Sequence, residues 1–356
     1  MDNRKYKKHI LIFLSLTAGL LLACMLTVVV IDPFFQYHGP LPGVGYLIDN
    51  QLSQNPGIAR RFEYDSVILG SSMTINFDTE LFAQTMGLNT IKLSYNGAYP
   101  RDIDNIMAIV KERKTWPKEI FLGIDIPTYK AEPGITAYEI PEYLYDTSPW
   151  NDLPYLLNKD VYLDYISHVF RRQPGTPLNE IYSTWGQVFC GRQNVLSSYT
   201  LPQQSETVLP ADAYIGNIEA NLNAYIIPYI ESMPDTHFTV FFPPYSILYW
   251  YTRSVEGELE AELAGERYIM GRLLSYDNVS VYYFQDMFDF ISDLDHYSDY
   301  THYGREMNDY MTRCFQDGSH RLTEENYEEA LEGMLLWMGE NVESGAEGLI
   351  SIDSTE

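Results

Sequence analysis

Cysteine is scarce in this chain of 356 residues, which has three. Cys24 lies inside a long apolar run, so only Cys190 and Cys314 are left to pair. A single pair in a large domain excludes a disulfide scaffold, and the sequence does not say whether the two meet. Neither stands beside histidines at metal-ligand spacing, so no metal site is expected, and no cofactor is implied. Basic residues are also few, 23 Lys and Arg against 49 Asp and Glu, for a formal charge of −26. Four of the basic residues, Arg4, Lys5, Lys7 and Lys8, precede the apolar run, so the chain beyond that run is more acidic still. Such a surface repels a phosphate backbone and excludes nucleic acid as a partner. The Gly70 region, GSSMT, lacks both the lysine of a phosphate-binding loop and the glycine spacing of a dinucleotide fingerprint. No internal repeat appears.

Apolar residues are not lacking, at 46% of the chain. Ile10 to Ile31 carries no charge, and as a helix would span roughly 33 Å, the thickness of a bilayer's hydrocarbon core. It is longer than a signal-peptide apolar region and ends in Val-Val-Val-Ile, without a small-residue cleavage site, which favours an uncleaved single-pass anchor in the cell membrane. Leu21-Leu22-Ala23-Cys24 also has the form of a lipoprotein cleavage box. The apolar residues after Cys24 rank that reading second. The basic cluster before the span places residues 1–9 in the cytoplasm and Asp32 onward outside.

Residues 32–58, rich in Pro, Gly and aromatics, read as a linker, and 59–338 as one extracytoplasmic α/β domain. Within it, Ser66–Leu69, Thr90–Leu93, Glu119–Ile124, His237–Phe242 and Val279–Phe284 read as strands. Asp78 caps a short helix closed by Gly87, and Ile103, Ile106, Met107 and Val110 mark one apolar helix face. Further helical patterns cover Ala211–Ser232, Leu259–Leu274 and Thr323–Met338. Alternating strands and helices imply right-handed crossovers and a parallel sheet of about five strands in flavodoxin-like order, flanked by helices. Residues 130–209 break the pattern with many Tyr, Pro and Trp, and read as an insertion folded over the sheet edge. Residues 339–356 read as an acidic, flexible tail.

Ligands bind at the carboxyl edge of such a sheet, and there the first strand ends in Gly70-Ser71-Ser72. Either serine is a candidate nucleophile, with Ser72 better placed to aim its own N–H at an oxyanion. Serine chemistry also needs a base and a group to orient it. DLDHYSDYTHYG, Asp293 to Gly304, supplies two overlapping DxxH pairs, Asp293 with His296 and Asp299 with His302, and the spacing does not choose between them. Asn96, Asp125 and Tyr245 lie on loops after successive strands and are candidate substrate contacts.

The succession of strand-Gly-Ser-Ser, a loop with Asn96-Gly97, a strand ending Gly123-Ile124-Asp125, and a terminal DxxHYG resembles the SGNH/GDSL hydrolase superfamily. It is most similar to the membrane-anchored bacterial branch that includes teichoic-acid D-alanylation and alginate acetylation proteins. The likeness covers roughly residues 60–130 and 235–315. It implies Ser72 as nucleophile, His302 as base, Asp299 as its orienting acid, and the N–H groups of Ser72 and Gly97 as oxyanion donors. It further implies a cell-surface esterase or O-acyltransferase whose partners are an acylated envelope polysaccharide or an acyl donor. The other reading is a non-catalytic glycan-binding or assembly protein on a degenerate fold. Two positions depart from the family pattern: Ser71 replaces an aspartate, and Asp125 an asparagine that donates to the oxyanion. An ionised carboxylate cannot donate, so Asp125 either points elsewhere or holds a proton.

Overall fold

The computed structural model describes residues 3–183 and 190–353. The chain divides into two compact units, Met1–Phe62 with Ile140–Pro177, and Glu63–Glu139 with Leu178–Glu356. The insertion is therefore not one piece. Its middle part, Ile140–Pro177, belongs with the N-terminal segment and its two ends with the sheet, and 184–189 lie outside the described residues.

In the first unit, the helix Asn3–Ile31 contains a stretch long and apolar enough to cross a membrane, Tyr6–Ile31. Asp32, the next residue, adopts a left-handed conformation (φ 48°) and turns the chain. Its carboxylate accepts from the N–H groups of Gln36 (3.0 Å), Tyr37 (2.6 Å) and His38 (2.8 Å) and from the Tyr155 hydroxyl (2.9 Å). The expected linker is largely ordered, because Asn50 caps a helix at Gln51–Arg61 by accepting from Ser53 N. That helix escapes a pattern reading because Pro56 and Gly57 stand inside it.

The second unit holds a sheet of β1 (Ser66–Leu69), β2 (Thr90–Lys92), β3 (Glu119–Gly123), β4 (His237–Phe242), β5 (Val279–Tyr283) and β6 (Arg321–Leu322), in the order β2-β1-β3-β4-β5-β6. The first five run parallel, and β6 pairs antiparallel with β5. β6 is the strand missing from the sequence reading, and two residues are too few to show an alternation. The strands are β-branched and aromatic, as a sheet covered on both faces requires. On β3 the faces separate cleanly. Phe121 packs against Phe82 and Phe315, from the helices Thr79–Met86 and Arg305–Asp317. Ile120 and Leu122 turn instead to Ile103 and Met107 of the helix Pro100–Lys111. At roughly 1.5–3 kcal/mol for each fully buried large apolar side chain, these two layers supply most of the drive to fold.

Three helical boundaries differ from the sequence reading. The Ala211–Ser232 pattern is two helices, Ile215–Tyr225 and Ile227–Ser232, divided at Ile226 just before Pro228. A helix at Ile247–Val255 went unseen because Ile247, Leu248, Tyr249 and Trp250 are apolar in succession and all buried, which hides a 3.6-residue period. The last helix, Tyr327–Asp353, continues well past Met338. Cys190 and Cys314 are free thiols.

Candidate active site

β1 ends at Gly70, whose φ of 141° is a conformation few other residues adopt. The chain then forms one 3₁₀ turn, Ser72–Thr74, capped by Ser71, whose hydroxyl accepts from Met73 N (3.2 Å). The turn is tied down on several sides. Thr74 donates to Ser71 O (2.8 Å) and lies 2.6 Å from Ser94 Oγ. Tyr303 and Asn308 both donate to Met73 O, at 2.9 and 3.3 Å. Gly70→Ala is expected to destabilise the unit by about 3 kcal/mol in thermal or denaturant unfolding. Its Cβ would stand 2.7 Å from Thr74 Cγ2, and Thr74 is fully buried and cannot retreat.

The second contribution comes from a loop closed at its base by pairing of Tyr297 with Tyr303 and by a bond from Ser298 N to His302 O (2.9 Å). Tyr297 donates to Pro244 O (3.1 Å) and Ser246 to Tyr300 O, which fastens this loop to the one after β4. The helix Arg192–Ser198, from the last part of the insertion, braces the other side, where Gly191 N donates to Tyr297 O (2.9 Å) and Asn194 to Ser298 O (2.9 Å). The loop presents His302 with Nε2 2.8 Å from Ser72 Oγ and Nδ1 2.7 Å from Asp299 Oδ2. A carboxylate only accepts, so Nδ1 carries the ring hydrogen and Nε2 is free to accept from Ser72. Asp299 Oδ1 accepts from Thr301 N (2.7 Å) and His302 N (2.8 Å). Burial pushes the Asp299 carboxyl up, but the bond and charge of His302 and these two N–H groups outweigh it and hold it below its ordinary value.

The two open choices now separate. Ser71 is buried, with its hydroxyl donating to Asp125, whereas Ser72 is partly exposed and faces the imidazole. His296 lies away from this arrangement, its Nδ1 2.5 Å from Glu306 and its ring stacked on Phe290.

Asp125 is buried, and its carboxylate is turned to two hydroxyls. One carboxylate oxygen accepts from Ser71 and the other from Tyr245 OH (2.5 Å), and all three residues are buried. Asp125 and Tyr245, expected to contact substrate, have their polar atoms spent on each other and on the turn that carries Ser72. Burial pushes the Asp125 carboxyl up to about 6, against the lowering pull of Tyr245 and of the His302 charge. The folded state therefore holds this proton longer than the unfolded chain, whose value is near 3.8. The contribution of Asp125 to stability falls as pH rises through this window and levels off above about 6, a loss of about 3 kcal/mol. Asp125→Asn should flatten that part of the profile, measured by denaturant unfolding between pH 4 and pH 8. Ser71 and Tyr245 hydroxyls can each turn to accept from the new amide.

Gly97 (φ 68°) and Asn96 are exposed on the turn that comes after β2, at the same carboxyl edge as Ser72. Lys92, the last residue of β2, was missed by the sequence reading. Its buried Nζ reaches Ile75 O (2.9 Å), Asn179 O (3.1 Å) and Ser183 Oγ (2.8 Å), linking the segment after the Ser72 turn to the last part of the insertion. Burial and the nearby Arg305 charge push the Lys92 amine down to about 7, while its three acceptors each take one ammonium hydrogen. Tyr303 and Asn308 were missed as well, and nothing in the sequence joins them to Met73. Among the described residues no cluster of three or more His, Cys, Asp or Glu is placed to hold a metal ion.

No protein-family model matches the chain, and no curated protein matches it.

Proposed function

We propose that the sheet domain is a serine esterase or O-acyltransferase of the SGNH type, acting at the cell surface on acylated envelope polysaccharide. The observation that carries this reading is the hydrogen-bonded series Ser72 Oγ, His302, Asp299, with heavy-atom separations of 2.8 and 2.7 Å. In the proposed reaction Ser72 Oγ attacks the acyl carbonyl as its proton passes to His302 Nε2, and Asp299 stabilises the imidazolium. The oxyanion is met by the N–H groups of Ser72 and Gly97, since Asp125 is turned away. Collapse breaks the ester bond, and Nε2 returns its proton to the departing alcohol. Water or a sugar hydroxyl, deprotonated by the same nitrogen, then attacks the acyl-serine and releases acid or a new ester.

The surface location rests on the apolar N-terminal helix, with Arg4, Lys5, Lys7 and Lys8 before it and an acidic remainder after it. The polysaccharide assignment is supported by tyrosine rings that can stack on sugars, the exposed Tyr138 and the part-exposed pair Tyr199 and Tyr300. The same rings, with a carboxylate where the family places an amide donor, favour a second reading as a non-catalytic glycan-binding protein. A fluorophosphonate probe on the detergent-solubilised full chain separates the two. Covalent labelling at Ser72 with turnover of p-nitrophenyl acetate supports the enzyme. Glycan binding with neither signal supports the binder.

A further inference from the structure

We infer that the face of the first unit carrying Leu163 and Phe170 lies in the headgroup boundary of the bilayer that the N-terminal helix enters. Two observations in that unit bear on it independently.

The first is depth. The short helix Leu153–Leu156 and the π-helical turn Val161–Ile166 both pack on the helix Asn3–Ile31. The contact falls on its last turns, where Val28 and Ile31 are buried while Leu16 and Leu20 remain exposed. Tyr162 of the π-helical turn is within electrostatic reach of Cys24. Cys24 precedes Ile31 by seven residues, roughly 10 Å along a helix axis. If the apolar run fills the hydrocarbon core, the π-helical turn cannot stand clear of the membrane. It must lie at the level where amphipathic helices rest, about 5–10 Å into the boundary between headgroups and acyl chains.

The second is surface chemistry. Leu153, Leu157, Leu163 and, in the helix Ser167–Phe170 that continues the π-helical turn, Phe170 (69%) are exposed, and Trp150 precedes them at 91% exposure. Trp150 and Tyr162 have the amphipathic rings favoured at this depth. In a chain so acidic, residues 165–177 contain His168, Arg171 and Arg172 and no Asp or Glu. Arg171 and His168 line a cleft of about 460 Å³ that Asp49 and Asp164 also line, so a phospholipid's phosphate and amine both find a partner of opposite sign.

The test uses the full chain in nanodiscs of phosphatidylcholine and phosphatidylethanolamine, with acyl chains brominated near the headgroup end. Leu163→Trp is introduced in a Trp150→Phe background, and its emission is read as the difference from that background. Quenching at position 163 by bromolipid, relative to unbrominated discs, is the expected result. Because Leu163 is exposed, the substitution leaves the core intact, and Phe170→Trp provides a second reporter on the same face. Emission at both positions that is indifferent to bromine would overturn the proposal. If that indifference came with protection from aqueous acrylamide, the face would belong to a second protein surface instead.

Discussion

Ser72→Ala should remove fluorophosphonate labelling completely and lower ester turnover by on the order of 10⁴-fold or more, without unfolding the domain. The hydroxyl is partly exposed and, among the described residues, its close partner is the imidazole at 2.8 Å, so deletion there leaves no buried group stranded. The neighbouring Ser71→Ala is the matched control. It too deletes one hydroxyl, but that hydroxyl caps the turn at Met73 N and bonds Asp125. Its loss should cost stability through an unsatisfied buried carboxylate while leaving the labelling chemistry in place. Nucleophile and base act as a unit, so Ser72→Ala combined with His302→Ala should be no worse than either alone. Turnover unchanged in Ser72→Ala would remove the nucleophile assignment, and labelling lost equally in both single serine variants would point to a disordered turn.

Asp299→Asn should lower turnover about 10³- to 10⁴-fold at neutral pH with little change in structure. Asp299 Oδ1 accepts from Thr301 N and His302 N, so an asparagine there must keep its single oxygen toward the backbone. Its amide nitrogen then faces His302 Nδ1. A donor opposite a donor is repulsive, so the imidazole adopts the other tautomer, with the hydrogen on Nε2. In that form the ring can no longer accept from Ser72. The test is kcat for an activated ester together with the ¹⁵N or ¹H signature of the ring nitrogens. A tautomer change with little loss of kcat would show that Asp299 only shapes the loop.

The fold was legible where local rules acted alone. Asp78 and Gly87 mark the two ends of one helix, and both caps are observed, with Asp78 accepting from Glu80 N and Gly87 left-handed. Strands β1 and β4 carry enough β-branched and aromatic residues to be read directly, and five parallel strands in flavodoxin-like order result from their alternation with helices. The strand ends point to one edge of the sheet, where Ser72 and the DxxH loop meet, but the choice of Ser72, Asp299 and His302 over Ser71, Asp293 and His296 came from the family resemblance and not from the strand pattern. The contacts that stayed hidden depend on partners far apart in the chain. Asp125 meets Ser71 across 54 positions and Tyr245 across 120, and neither contact leaves a period or a motif. The division of the insertion was hidden for the same reason, since Tyr155 is chosen by Asp32 through a buried bond and not by its neighbours.

The bond from Ser72 to His302 spans 230 positions. A ribosome finishes β1 and the serine turn long before it reaches the tyrosine-pinched loop, and Asn308, which shares Met73 O with Tyr303, comes later still. A chain that stops short of that loop therefore carries the Ser72 hydroxyl without its imidazole, however well its first strands have formed. The pairing of the Ser72 hydroxyl with an imidazole is therefore withheld until the ribosome has passed the loop between Tyr297 and Tyr303.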